Sequence, residues 1–158
     1  MIKFLSNKIK RNVYYLIITA CILALILAYC AEILWNLNPC MLCLYQRLIY
    51  ISLIIPSLVI ILLPSTRGFF SIIVLLLICA EVGLAAYNVS IEHYLIEESY
   101  ICSSQAPARS ILQKFLSFKR IASNCSDIKF KFMNFSMAEW NLAYSSLLLY
   151  IFIKRKRK

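Results

Sequence analysis

Apolar residues gather in this chain into long unbroken runs, over about 13–35, 44–63 and 69–89, with a weaker fourth run over about 135–153. A hydrocarbon core about 30 Å thick needs roughly 20 helical residues to cross it. The runs are of that order of length, and they lack the polar/apolar alternation of a barrel strand. Backbone amides in lipid must be satisfied within their own segment, so the runs predict transmembrane helices. The third carries Glu81 and the fourth opens with Glu139, Trp140 and Asn141, which leaves the fourth the weakest by hydropathy. It is kept because an odd number of crossings would put the two basic termini on opposite sides. The expected fold is all-α, a four-transmembrane-helix bundle forming a single integral membrane domain over residues 1–158.

That topology puts two polar segments on one face, about 36–43 and about 90–134. Within the longer one, Arg109 to Ala122 has Ile111, Leu112, Phe115, Leu116 and Phe118 toward one side and Gln113, Lys114, Lys119 and Arg120 elsewhere. This pattern predicts a short helix lying on the membrane surface. The turn between the second and third runs, Pro64-Ser65-Thr66-Arg67-Gly68, has breakers and no catalytic residue types, and reads as connective.

Composition sharpens the membrane reading. The chain is 62% hydrophobic with two glycines, far from a soluble globular profile. Its net charge of +10 raises nucleic acid as a partner, and the distribution of that charge argues against it. Lys3, Lys8, Lys10, Arg11, Arg67 and the unbroken tail Lys154 to Lys158 all fall on the side that holds the termini. The opposite side has Arg47, Arg109, Lys114, Lys119, Arg120, Lys129 and Lys131, so the positive-inside contrast is modest. It places both termini in the cytoplasm, with the tail resting on anionic lipid. The first apolar run exceeds the 7 to 15 residues of a signal peptide and no Ala-x-Ala site follows, so it is expected to stay as an anchor. Leu27-Ala28-Tyr29-Cys30 has a bulky Tyr29 where a lipoprotein cleavage site wants a small residue.

The seven cysteines divide by depth. Cys21, Cys30 and Cys79 lie within the spans, where a thiol is expected to be a small apolar filler. Cys40, Cys43, Cys102 and Cys125 all lie on the outer face, which for a bacterial-type inner membrane is oxidising. Three uses remain open for them: redox chemistry, two static disulfide staples, or a zinc site. Only one pair has ligand-like spacing, which counts against zinc. A Cys-x-x-Cys ring is very small and typically redox-active, which counts against staples. Pro39 precedes the pair and the second span begins at about Cys43, so a thiolate there would sit near a helix N-terminus, where unpaired amides favour negative charge. Arg47 follows one turn later on the same face. A charge at that depth needs a partner. The candidates are the Cys43 thiolate and the polar head of a lipid-soluble ligand, set against snorkelling to the interface. Glu32 is expected near the outer interface, in contact with water. Glu81, deeper, is expected to be protonated or to face the bundle.

These residues resemble the DsbB family of quinone-linked disulfide oxidases. Pro39-Cys40-Met41-Leu42-Cys43-Leu44-Tyr45-Gln46-Arg47 is similar to the family's Pro-Cys-x-Leu-Cys-x-x-x-Arg signature at the start of its second helix. Tyr87 to Glu92 followed by Cys102 resembles the end of its third helix and its first loop cysteine. Asn124-Cys125-Ser126-Asp127, then Phe135-Ser136-Met137-Ala138-Glu139-Trp140-Asn141, resembles its last cysteine and the entrance to its fourth helix. The related vitamin K epoxide reductase group places its loop cysteines before its Cys-x-x-Cys, the reverse of the order here. Where many members have His this chain has Asn88, with His93 as its only histidine.

The resemblance implies a protein-dithiol:quinone oxidoreductase. A periplasmic thiol oxidase of the DsbA type would be reoxidised through a disulfide joining Cys102 and Cys125, with Cys102 bonding the partner. Cys125 would then engage Cys40, and Cys43 would face the quinone, ubiquinone or menaquinone, with Arg47 beside it. The family analogy requires no metal. The alternative is a non-enzymatic tetraspan membrane protein stapled by two outer disulfides. Running the relay outward as a reductase would need a dithiol donor on the cytoplasmic side, where this chain has no cysteine.

Overall fold

The computed structural model describes residues 2–35, 39–96, 131–132 and 134–157. Cys102, Cys125 and the surface helix expected over 109–122 lie outside the described residues. Four long helices make up nearly all of what is described: α1 (Ile2–Leu34), α2 (Met41–Leu62), α3 (Arg67–Glu92) and α4 (Met137–Arg157). A two-stranded antiparallel ribbon, β1 (Lys131–Phe132) and β2 (Phe135–Ser136), leads into α4.

Three helical stretches are long and apolar enough to cross a membrane: Asn12–Leu34, Met41–Leu62 and Pro64–Glu92. Their packing inverts that of a soluble bundle. Leu27, Ile33, Ile55 and Leu76 are exposed on the outside, whereas Ser57, Glu81, Asn88 and Ser145 are sealed within. Lipid is as apolar as leucine, so polar groups gain by turning toward one another. On α3 the buried positions are Ser71, Val74, Ile78, Glu81, Ala85, Asn88 and Ile91, in steps of three or four that draw one stripe along the helix. α2 packs against both α1 and α3, α3 packs against α4, and α4 meets α1 more sparsely. Tyr14, Ile17, Cys21, Tyr50, Leu53, Val74, Ile78, Leu148 and Phe152 form the shared apolar core.

The connections use local chemistry. Pro64 opens a single 3-10 turn, Pro64–Thr66, and Thr66 returns both its backbone N–H and its hydroxyl to the Leu63 carbonyl, at 3.1 and 2.9 Å. Gly68, read from sequence as part of the turn, is already inside α3. Pro56 sits buried in α2, where its missing N–H is tolerated because neighbouring helices surround it. α3 ends in a Schellman motif: Leu95 N–H bonds the Ser90 carbonyl, Tyr94 N–H bonds the Ile91 carbonyl, and Tyr94 takes φ 55°.

α4 starts on a capping box. Ser136 Oγ accepts from Glu139 N–H at 3.1 Å, and Glu139 accepts from Ser136 N–H at 2.7 Å. Phe135, just before the cap, meets Trp140 edge-on with ring centroids 5.9 Å apart, the accompanying hydrophobic staple. Ser136 also donates through Oγ to Glu92, the last residue of α3, and His93 bonds Glu139 at 2.9 Å. The start of α4 is thereby fixed to the end of α3.

Deeper in the bundle Tyr50 donates to Asn141 Oδ1 at 2.7 Å, and Asn141 donates to Glu81 Oε1 at 2.9 Å. This clasp joins α2, α3 and α4, and it gives Glu81 the bundle-facing position expected of it. Asn141→Leu would strand Tyr50 and Glu81 in an apolar interior. It is expected to lower stability by about 1–2 kcal/mol, measured by denaturant unfolding in micelles, while Leu147→Ala on the exposed face changes it far less.

Candidate functional site

The Cys-x-x-Cys pair lies where the chain enters α2. Cys40 is the N-cap, with extended backbone (φ −74°, ψ 167°), and its sulfur accepts from the Cys43 N–H at 3.2 Å. The cap is one a serine would ordinarily make. α2 therefore begins at Met41, ahead of the apolar run that starts at Leu44. Capping brings the sulfurs together, with Cys40 Sγ and Cys43 Sγ 2.6 Å apart. Cys40 is buried and Cys43 half-buried. The hydrogen bond to Cys43 and burial both push the Cys40 thiol well above its ordinary range. Cys43 is the more open sulfur of the two.

Leu42 and Ile91 pack on Cys40, with Cys43, Leu84 and Tyr87 at their edge, so the sulfur pair sits in an apolar cluster between the first turn of α2 and the last turns of α3. Asn88 enters this cluster from α3. Its amide nitrogen is 3.9 Å from Cys43 Sγ, the side chain is 1% exposed, and Oδ1 has no hydrogen-bond partner among the described residues.

Arg47 lies one turn beyond Cys43 and is 6% exposed. It reaches across to α1. Nη1 bonds Glu32 Oε2 at 2.7 Å, Nη2 donates to the Ala28 carbonyl at 3.3 Å, and the guanidinium stands 4.6 Å over the Tyr29 ring. The last turns of α1 thus supply a carboxylate, a carbonyl and a ring face to one cation. Glu32, expected from sequence to be wet, is 4% exposed and paired. The reason is depth: an acid near the end of α1 and a base near the start of α2 fall at the same level once the helices run antiparallel. That matching was legible in the sequence as the signal for the pair.

The other sequence candidates separate. His93 turns to Glu139 and Glu92 to Ser136, both on the cap of α4. Of the three cysteines expected as fillers, only Cys21 is buried in the core; Cys30 and Cys79 are exposed on the outward faces of α1 and α3. A helix surface in lipid asks only for an apolar side chain, so a thiol there needs no packing role.

An apolar multi-helix bundle with a cysteine pair at the start of one helix, one turn from a buried ion pair, defines a multi-pass membrane protein. The family model for disulfide bond formation protein DsbB matches residues 10–154, and the chain belongs to that family. It is 31% identical over 151 residues to the uncharacterized protein RP370 of Rickettsia prowazekii (strain Madrid E), covering 90% of this chain and 88% of that one. It is 25% identical over 166 residues to disulfide bond formation protein B of Pasteurella multocida (strain Pm70), covering 98% of this chain and 92% of the relative. The chain is thus a multi-pass membrane oxidoreductase of disulfide bond formation.

The ion pair generates a direct test. Glu32→Ala leaves the Arg47 charge buried without its carboxylate and is expected to cost about 3–5 kcal/mol, whereas joint replacement by Glu32→Leu and Arg47→Met recovers most of the loss. Denaturant unfolding of the single and paired variants measures both. A single variant as stable as the parent would remove Glu32 as the partner.

Proposed function

We propose that this chain reoxidises a soluble DsbA-type thiol oxidase in the periplasm and passes the electrons through two cysteine pairs to a membrane quinone. The observation that carries this reading is the placement of Cys40 and Cys43, sulfur against sulfur, in an apolar cluster at the start of α2. A soluble partner and a lipid-confined acceptor meet only at the edge of a membrane.

In this reading Cys102 and Cys125 form the pair that meets the partner. The partner's thiolate attacks Cys102 to give a mixed disulfide, releasing Cys125, and a second thiol of the partner then frees it oxidised. Cys125 attacks Cys40 of the Cys40–Cys43 disulfide and releases Cys43 as a thiolate. When Cys102 recloses the bond to Cys125, Cys40 and Cys43 are left as a dithiol. Its return to the disulfide gives up two electrons and two protons, which are what a quinone takes up in becoming quinol. The half-buried Cys43 is the sulfur placed to face the acceptor.

The surroundings of the sulfurs suit a quinone in their chemistry. The partly buried Leu84 and Tyr87 offer apolar surface for a ring and tail. The Asn88 amide, with its unmet buried acceptor, offers polar contact to a ring oxygen or hydroxyl. Arg47 places a fixed positive charge one turn beneath the sulfur, where it favours anionic sulfur and the developing charge on an acceptor oxygen. Ubiquinone or menaquinone meets these requirements equally.

The same reading makes α4 the fourth crossing, with both termini cytoplasmic in a bacterial inner membrane and the redox segments periplasmic. The distribution of Lys and Arg supports it, as do the antiparallel packing of α4 on α3 and the basic end of α4.

Two outcomes are expected. Reduced protein given ubiquinone re-forms its disulfides and yields one quinol per disulfide closed, and a stapled structural protein would yield none. Cys43→Ser abolishes quinol formation while Cys102 still forms a mixed disulfide with a reduced DsbA-type partner, seen as a shifted band on a non-reducing gel. Full quinone turnover in Cys43→Ser would overturn the assignment of that sulfur.

A further inference from the structure

The end of the bundle opposite the dithiol contains a cavity of about 370 Å³ among α1, the start of α3 and the end of α4. Arg67, Arg155 and Lys156 all line it, and no acidic side chain among the described residues does. We propose that this cavity is a binding site for the phosphate headgroup of an anionic phospholipid.

The cations are set over an aromatic floor. Tyr14 and Phe152 meet edge to face with centroids 6.3 Å apart, and both are buried. Arg67 stands 5.7 Å over the Tyr14 ring and Lys156 stands 5.9 Å over the Phe152 ring. Each charge is thus held at the rim by a cation–π contact, which leaves its hydrogen-bond donors for an anion.

Helix electrostatics explain only part of the arrangement. Arg155 and Lys156 in the final turn of α4 are favoured by the negative end of that helix. Arg67 is the first residue of α3, where the positive end of the helix disfavours a cation. Gly68, beside it in the same turn, also lines the cavity and has open space where a Cβ would stand. Positive charge therefore accumulates at this point with no carboxylate among the described residues on the cavity wall to absorb it. An anion relieves it.

The lining also selects a lipid over a free anion. The cavity lies where the apolar stretches end, at Asn12 on α1 and at the basic run from Lys154 on α4, which is headgroup level. Ile72 lines it too and is 54% exposed on the outside of α3, offering an apolar path from the cations toward the lipid. Arg makes paired hydrogen bonds to phosphate oxygens, and juxtamembrane cations attract anionic lipid individually.

The test uses the full chain purified in a neutral detergent. Phosphatidylglycerol is titrated in and followed by native mass spectrometry and by the shift in thermal unfolding. Saturable binding is expected, with phosphatidylcholine binding at least tenfold more weakly. Arg155→Gln and Lys156→Gln, at an exposed helix end where folding is not at stake, should each weaken binding about fivefold, and Arg67→Gln by at least as much. Lys154→Gln removes the same charge from a residue that lies outside the lining and bonds Tyr150, and should leave the affinity within twofold. A Lys154→Gln loss equal to the others would show unlocalised attraction and overturn the proposal. So would equal binding of phosphatidylcholine, or full competition by millimolar inorganic phosphate, which would mark a free-anion site.

Discussion

A charge placed just inside a bilayer has to bring its counter-charge with it, and Arg47 obtains Glu32 from the neighbouring helix. Much of the dithiol site depends on this pair. It fixes the end of α1 against the start of α2 at a defined height, one turn below the sulfurs. Breaking it by removing one partner leaves an unpaired charge in a low dielectric, a far larger cost than the modest worth of the intact pair. The pair therefore acts as a register for two helices whose remaining contacts are apolar and free to slide. Tyr29 and the Ala28 carbonyl hold the guanidinium in one orientation, so its charge has a fixed place relative to Cys43.

The other constraint is that lipid supplies neither hydrogen bonds nor hydrophobic drive. Helices of this kind associate through close packing and a few polar links. Here the links are spaced along the bundle. The α4 cap holds Glu92 and His93 at one level, Asn141 joins Tyr50 to Glu81 at the next, and Tyr144 donates to the Ala20 carbonyl of α1 at 2.8 Å. α4 takes part in each of them. A helix whose own sequence is the least apolar of the four is held in place by the polar residues that make it so.

Much of this was legible in the residues. Hydropathy places α2, α3 and the end of α1 to within a few residues, because the length needed to cross lipid leaves little freedom. It does not place the start of α1, which extends back to Ile2 through a polar, basic stretch. The sulfur pair was legible through spacing and position; the weaker run over about 135–153 indicated a fourth helix but not the capping box that starts it. The cap formed by Cys40 was not legible either, since a sulfur capping its own helix has no propensity signal distinct from the Cys-x-x-Cys motif. The need of Arg47 for a partner is legible in its own run, whereas Glu32 is found only by matching the end of α1 to the start of α2. Contact depends on the relative height of two helices, which no single run of sequence states. The lipid-facing positions of Cys30 and Cys79 were hidden for a related reason: within a uniformly apolar run, the inner and outer faces carry the same letters.

The bond from Ser136 to Glu92 joins residues 44 positions apart in the chain. The helices therefore bring the two ends of the intervening segment to a single point, and close that loop independently of what it contains. The entropy of closing a loop grows only with the logarithm of its length. Insertions, deletions and wholesale exchange between these two posts are consequently cheap for the scaffold. The segment between these posts can diverge rapidly while the helices, held by charge and depth, stay as they are.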